Sequence, residues 1–199
     1  HLRIPVITSY EQAESLAAER SDIAGVIDAD VANPDDVARA FATVEQVLGT
    51  LDVLINNAGI SARHDFVDIP FEDWRRVMSV NLDGVFLMAQ AAARHMVARH
   101  GGVILNMGST NGLVGYRRHA MYNTAKAGVV ELTKSMALDL APTVRVNAIC
   151  PGFIQTPLLT YPAAVTDRVP LQRLGRPDEV AALFAFLASD EASFITGQS

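Results

Sequence analysis

The chain has 199 residues, half of them apolar, a length and composition that suit one domain with a sizeable core. A net charge of -6 and a pI near 5.3 argue against nucleic acid or an anionic membrane as partner. Cys150 is the single cysteine, so no internal disulfide can form and a reducing, cytoplasmic setting is expected; no apolar run reaches membrane-spanning length and no signal-peptide pattern is present.

Taken in order, Leu2 to Thr8 predicts a short strand interrupted by Pro5, and Ser9 to Arg20 a helix with Leu16 and Ala17 among its apolar positions. Ile23 to Ile27 predicts a second strand, ending at Asp28-Ala29-Asp30-Val31. Asn33-Pro34 then starts a helix. Asn33 can cap free N–H groups, Pro34 needs no N–H at the first helical position, and Asp35 and Asp36 suit the positive end of the helix dipole. Val37, Phe41, Val44 and Leu48 form its apolar face, and Gly49 closes it. Leu51 to Ile55 predicts a buried strand, and Phe71 to about Arg99 a long helix with Trp74, Val77, Met78 and Val85 at helical spacing. A glycine-bounded strand follows at Gly102 to Gly108, then a helix from Ala120 to about Ala141 that Pro142 stops. Val144 to Ile149 is another strand, with Cys150 at its end as a buried, inert thiol. Pro177-Asp178-Glu179 starts a last helix that ends near Ser189. Strand and helix alternate throughout. The pattern predicts an α/β fold, a parallel sheet with helices on both faces and ligands at the carboxyl ends of the strands. Asp30, Asn57, Ser109 and Pro151 all fall at such ends.

Chemistry concentrates between Ser109 and Lys126. Ser109 sits at a strand end, and Tyr122 and Lys126 lie four apart near a helix start, hence on one face. An ammonium beside a phenol favours phenolate, so the Tyr122 pKa is expected to fall from its usual value toward neutrality. A tyrosine so tuned can exchange a proton with a substrate oxygen, and a serine hydroxyl can hold the same oxygen.

Ser109, Tyr122 and Lys126 at this spacing resemble the active-site signature of the short-chain dehydrogenase/reductase family. Asn56-Asn57-Ala58-Gly59 resembles the motif after that family's fourth strand, and Asn81 in Ser79-Val80-Asn81 its catalytic asparagine. Arg145-Val146-Asn147, Pro151-Gly152 and Thr156 match its sixth strand and nicotinamide loop. The motifs keep the family's order, from about Ile4 to the last residue. The resemblance implies a Rossmann-type doubly wound sheet, with residues 1–199 as one NAD(P)-binding domain. It also implies hydride transfer between a nicotinamide and a ketone or secondary alcohol, with 3-oxoacyl-thioester reduction as the rival within the class.

By matching position, Tyr122 would be the general acid/base. Lys126 would lower its pKa and hold the nicotinamide ribose. Ser109 would orient the substrate oxygen, and Asn81 would hold a water that links Lys126 to solvent, unless it only caps a helix irregularity. Asp30 with Val31 would hold the adenine, although Asp30 could instead cap its own loop. Asn57, Ala58 and Gly59 would line the adenosine side, with Asn56 tying strands together. Pro151, Gly152, Ile154 and Thr156 would form the nicotinamide pocket. Asn111 and Phe153, with Leu113 and Val114, would face the substrate. No metal site is expected. Thr8-Ser9-Tyr10 carries no carboxylate to repel a 2′-phosphate, and Ser9 could donate to one, so the reading leans to NADP over NAD. Arg117-Arg118-His119 would meet an anionic substrate or an acyl-carrier protein, or else form a solvated or subunit-contacting turn. The helices near 71–99 and 120–141, with Met88, Ala91, Ala92 and Val129 as candidate contacts, would build a homotetramer.

One part of the family's frame is missing. A dinucleotide fold needs a glycine-rich turn after its first strand, where backbone approaches pyrophosphate at a helix N-terminus. Before Asn56 the glycines are Gly25 and Gly49, both isolated. Ile4 to Thr8 matches the family's second strand, so the first strand, its Gly-rich loop and the last strand are absent from these residues. Loss of a mid-sheet strand would split the sheet and leave two raw edges. The expectation is a segment of a longer protein; a chain without the cofactor cradle would instead be a non-catalytic binding or sensing scaffold.

Overall fold

The computed structural model describes residues 4–7, 23–159 and 166–199, with residues 4–7 and 23–25 as backbone alone. The helix expected over Ser9 to Arg20, and with it Ser9, lies outside the described residues. In chain order the principal elements are β1 (Ile4–Ile7), β2 (Ile23–Ile27), α1 (Pro34–Leu48), β3 (Val53–Asn56), α2 (Phe71–Met78), α3 (Gly84–Arg99), β4 (Gly102–Met107), α4 (Ala120–Leu140), β5 (Val144–Ile149) and α5 (Pro177–Ala188).

All described strand pairs are parallel, in two sheets of order β1-β2 and β3-β4-β5. Among the described residues no strand joins the two sheets. Along β4 the pleat sends Ile104 to one face and Val103 and Leu105 to the other. Ile104 packs with Leu54, Val144 and Val146 under α1, α3 and α4, through Val37, Met88, Ala89, Ala92, Met96 and Ala137. Val103, Leu105 and Ile149 pack under α5 through Phe184 and Leu187. Both faces are thus apolar and helix-covered, as a parallel sheet requires. Each fully buried Leu or Ile contributes about 1.5–3 kcal/mol. Val53 of β3 packs against the cluster under α5, but Ile55, paired with Leu105 in register, is 48% exposed, so cover on the α5 side runs out along β3.

Local signals set the helix ends. Asn33 Oδ1 accepts from the N–H groups of Asp35 and Asp36 at 2.9 and 3.3 Å, and Gly49 closes α1 at φ 73°. The Glu179 side chain folds back to accept from the Arg176 N–H at 2.8 Å, starting α5. The stretch expected as one helix from Phe71 to Arg99 is interrupted by a π turn at Ser79–Asp83. Beyond the last 3-10 turn, Gly197 N donates to Val146 O at 2.7 Å and Ala148 N to Gln198 O at 2.8 Å, so this segment runs along β5.

A polar chain crosses the core below the strand ends. Asn56 Nδ2 donates to Asn106 Oδ1, Asn106 Nδ2 to Thr133 Oγ1, and Thr133 to the Val129 carbonyl, at 2.9, 2.8 and 2.8 Å. It ties β3 and β4 to α4, the structural role expected of Asn56. Met88, Ala92 and Val129, expected at a subunit contact, are 5%, 0% and 0% exposed. They face the sheet or the neighbouring helices inside the chain, because the interior of an α/β layer claims the small and apolar helix positions first.

Candidate active site

The strand ends of β4 and β5 stay paired beyond the sheet. Gly108 N donates to Ile149 O at 2.7 Å and Thr110 N to Pro151 O at 3.0 Å, with Ser109 extended between them. Gly108 permits this approach: a Cβ there would lie 2.6 Å from Cys150 Sγ. Ser109 is buried, and its Oγ accepts from Asn111 N at 3.1 Å. The following turn presses against α4 backbone to backbone. A Cβ on Gly112 would sit 2.6 Å from the Lys126 carbonyl oxygen, so only glycine brings the turn this close.

That contact sets Tyr122 beside Ser109. One turn further along α4, Lys126 is 2% exposed. Its Nζ donates to the Met107 carbonyl at 2.6 Å and lies 5.7 Å from the centre of the Tyr122 ring. Burial pulls the Lys126 pKa down to about 8, opposed by the nearby Cys150. Burial pushes Tyr122 above its ordinary value, and the Ser109 hydrogen bond pulls it part of the way back. The depressed phenol expected from the Tyr–Lys spacing is therefore not what this geometry produces. The ammonium is bonded to a backbone carbonyl, not to the phenol, and desolvation of the ring outweighs it. Cys150 is half-buried rather than buried; desolvation raises its pKa, and it stays a thiol at neutral pH.

Asn81 occupies the π turn and is fully buried. Its amide clasps one residue of the loop after β3: Oδ1 accepts from Ile60 N at 2.8 Å and Nδ2 donates to Ile60 O at 2.7 Å. Gly59 beside it faces both partners, since a Cβ there would lie 3.3 Å from Asn81 Oδ1 and 3.8 Å from Lys126 Nζ. The two helices that carry Asn81 and Lys126 thus converge on the Asn57-Ala58-Gly59 loop, which is exposed at the carboxyl end of β3.

The other expected site residues fall around this centre. One Asp30 oxygen accepts from Ala32 N at 2.9 Å, the loop-capping role weighed for it, and the carboxylate remains exposed. Val31 is partly buried against Gly84, where a Cβ would meet its Cγ2 at 2.9 Å. Phe153 to Gln155 is pinned to Gly175, whose N donates to Phe153 O at 3.0 Å and whose O accepts from Gln155 N at 2.9 Å. This fixes Ile154 and half-buried Thr156 next to Pro151 and open Gly152. Phe153 meets the Tyr116 ring edge-on at 6.2 Å, forming an aromatic wall that Tyr116 was not expected to join. Leu113 and Val114 are exposed beside it. Asn111 does not present a free amide to a substrate, because its side chain is engaged by Ser109 and Asn123. Nothing in the spacing of polar residues marks Asn123. The basic turn is only partly neutralised: Arg118, at φ 64°, pairs with Asp65 at 3.3 Å.

A nicotinamide dinucleotide fits the residues present. Glycine without a Cβ faces Asn81 and Lys126, Gly152 opens onto free space, and the exposed Asp30 carboxylate follows β2, all along the carboxyl edge of the strands.

The family model described as enoyl-(acyl carrier protein) reductase matches residues 6–199. The 3-oxoacyl-(acyl-carrier-protein) reductase of Thermotoga maritima is 42% identical over 199 residues, covering 96% of this chain and 81% of the relative. The trans-4-hydroxycyclohexanecarboxylate dehydrogenase of Sinomonas cyclohexanicum is 41% identical over 177 residues, 88% of this chain and 68% of the relative. Among solved structures, a short-chain type dehydrogenase/reductase from Mycobacterium marinum superposes with a TM-score of 0.93 at 38% identity, over 98% of this chain and 82% of that one. A gluconate 5-dehydrogenase from Burkholderia cenocepacia J2315, in complex with NADP and tartrate, superposes with a TM-score of 0.91 at 35% identity, over 98% and 81%.

Proposed function

This chain belongs to the short-chain dehydrogenase/reductase family and is an NAD(P)-dependent oxidoreductase; from that premise we propose that it interconverts a ketone and a secondary alcohol through Ser109, Tyr122, Lys126 and Asn81. The observation that carries the reading is Tyr122 set beside Ser109 at a strand end, with a buried lysine one helical turn behind, 5.7 Å from the centre of the Tyr122 ring. Two neighbouring hydroxyls suit a substrate oxygen, and hence C=O or CH–OH chemistry.

When bound, the cofactor supplies or accepts the hydride. Asn57, Ala58, Gly59, Asp30 and Val31 would hold its adenosine half, and Pro151, Gly152, Ile154, Thr156 and Lys126 its nicotinamide half. Ser109 holds the substrate oxygen as charge develops on it. Tyr122, protonated at neutral pH because burial raises its pKa, gives that oxygen a proton in reduction and takes one back in oxidation. Lys126 supplies positive charge behind the phenol. The amide of Asn81 is committed to Ile60, so a water held there would use the Asn81 main chain.

NADP is the favoured nucleotide, since Thr8-Ser9-Tyr10 offers no carboxylate against a 2′-phosphate. A 3-oxoacyl thioester is the rival substrate, supported by the likeness to the Thermotoga reductase. A cytoplasmic homotetramer completes the reading. Phe86, Val97 and Leu138, 44%, 52% and 82% exposed on α3 and α4, replace the buried residues as its contacts. The test is turnover of acetoacetyl-coenzyme A, 4-oxocyclohexanecarboxylate and simple ketones with NADPH and NADH, by the native enzyme and by Tyr122→Phe. Reduction of a panel member that Tyr122→Phe abolishes is the expected result; equal turnover by both proteins overturns the assignment.

A further inference from the structure

Four hydrogen bonds link Asn123 to the site. Its Nδ2 donates to the Tyr116 carbonyl at 2.9 Å, and its Oδ1 accepts from Asn111 Nδ2 at 2.7 Å. Asn111 in turn donates its backbone N–H to Ser109 Oγ at 3.1 Å and turns its Oδ1 toward the same hydroxyl, 3.4 Å away. A backbone carbonyl only accepts, so the Tyr116 oxygen decides which end of the Asn123 amide faces it. Asn123 Oδ1 is thereby left for Asn111, whose NH2 must face it. Asn111 Oδ1 is then the atom left beside Ser109. The direction of every bond follows from one carbonyl, with no free choice along the chain.

The serine hydroxyl lies at the end of this series. An isolated Ser rotates freely about its C–O bond. Ser109 instead has an N–H donor and a carbonyl acceptor set on it by one residue. The 3.4 Å contact is long enough to yield its proton to a better acceptor, such as a substrate carbonyl. The far end of the series is the carbonyl of Tyr116, whose ring forms the wall with Phe153.

We propose that Asn123 is a positioning residue for Ser109, acting through Asn111 and oriented by the Tyr116 carbonyl. The inference rests on the reading of Ser109 as the group that holds the substrate oxygen. Asn123 touches neither substrate nor cofactor; it keeps the serine hydroxyl aimed and links that aim to the position of the aromatic wall.

A double-mutant cycle on the intact enzyme tests this, read with the carbonyl compound of the panel that is reduced fastest. Asn123→Leu keeps the side-chain shape and removes both bonds. In the native background kcat should fall about tenfold with the KM for NADPH unchanged, the scale of a small misplacement at a reacting centre. In a Ser109→Ala background the same change should cost nothing further, because the group it positions is gone. An equal loss in both backgrounds overturns the proposal by showing that Asn123 only supports the fold, and so does no loss in either. If Ser109→Ala turns over too slowly to measure, Asn111→Ala takes its place in the cycle. Coupled losses then uphold the inference and additive losses refute it. If Asn123→Leu does not fold, Asn123→Ser serves in the same cycle. Tyr122→Phe separates the two levels. Unchanged turnover there removes the reading of the site, whereas an inactive Tyr122→Phe beside a fully active Asn123→Leu removes only this inference.

Discussion

The proposed catalytic set and the proposed nucleotide edge are built in opposite ways. Asn81, Ser109 and Lys126 are 0%, 8% and 2% exposed, and each has its polar atoms held by backbone or by a neighbouring side chain. Asp30, Asn57, Ala58, Gly59 and Gly152 lie open at the strand ends. Chemistry needs groups whose direction is settled before the substrate arrives, because reorientation during the reaction adds to the barrier. A nucleotide edge needs surface that a ligand can cover. The contrast predicts that substitutions in the first group act on rate and stability, and those in the second on cofactor affinity.

Tyr122→Phe should have the largest effect. Loss of a positioned general acid lowers kcat by about 10²–10⁴-fold. The fold should be unaffected, since the hydroxyl is the only group removed and the ring still packs. Thermal melts alongside the turnover assay would check both halves.

Gly112→Ala comes next and should act on stability first. The added methyl meets the Lys126 carbonyl at 2.6 Å, where neither backbone can yield cheaply. Overpacking of this kind costs about 1–3 kcal/mol. Denaturant melts would read that loss, and whatever distance opens between Ser109 and Tyr122 would lower kcat as well. A variant as stable and active as the native enzyme would mean that the turn does not set the spacing of the two hydroxyls.

The pH profile of reduction sharpens the role of Lys126. Burial lowers its pKa to about 8, so its charge is present below that pH and lost above it. Tyr122 is shifted upward and keeps its proton through this range. The rate of reduction should therefore be level through neutrality and fall as pH rises past about 8. Lys126→Arg keeps its charge at every accessible pH and should move that limb upward, even if the larger head group lowers the plateau. An unmoved limb would assign it to another group.

Asp30→Ala should have the smallest effect. The residue is exposed and caps its own turn through one oxygen. The expected result is a rise of about threefold to tenfold in the KM for the nucleotide with kcat preserved, the size of one hydrogen bond at an open edge. A fall in kcat instead would blur the division between the two regions.

Much of this was legible in the residues. Alternating strand and helix signals, the Asn33-Pro34 cap and the Gly49 stop placed the elements to within a few residues, because capping and periodicity are local effects. The spacing of Ser109, Tyr122 and Lys126 marked the centre of the proposed site, since one helical turn and one strand end are enough to bring them near one another. The π turn was not visible. It spans five residues in a stretch whose apolar positions still read as one helix, and Asn81 within it is bonded to Ile60. Asn123 was equally silent, since its partners Asn111 and Tyr116 are brought to it by the turn that Gly112 presses against α4.

What the sequence determined by itself was therefore the order of elements, the parallel α/β class and the identity of the groups that can carry a proton. Tertiary structure alone decided their tuning. Whether a phenol is raised or lowered depends on how much water reaches it and on where the nearest ammonium is bonded. Here burial wins over a lysine turned to the Met107 carbonyl. The same holds for the helix faces. Met88, Ala92 and Val129 look alike as interface or interior residues in one dimension, and packing against the sheet and the neighbouring helices settled them inside. Desolvation and side-chain direction are sums over neighbours distant in the chain, and those neighbours exist only once it has folded.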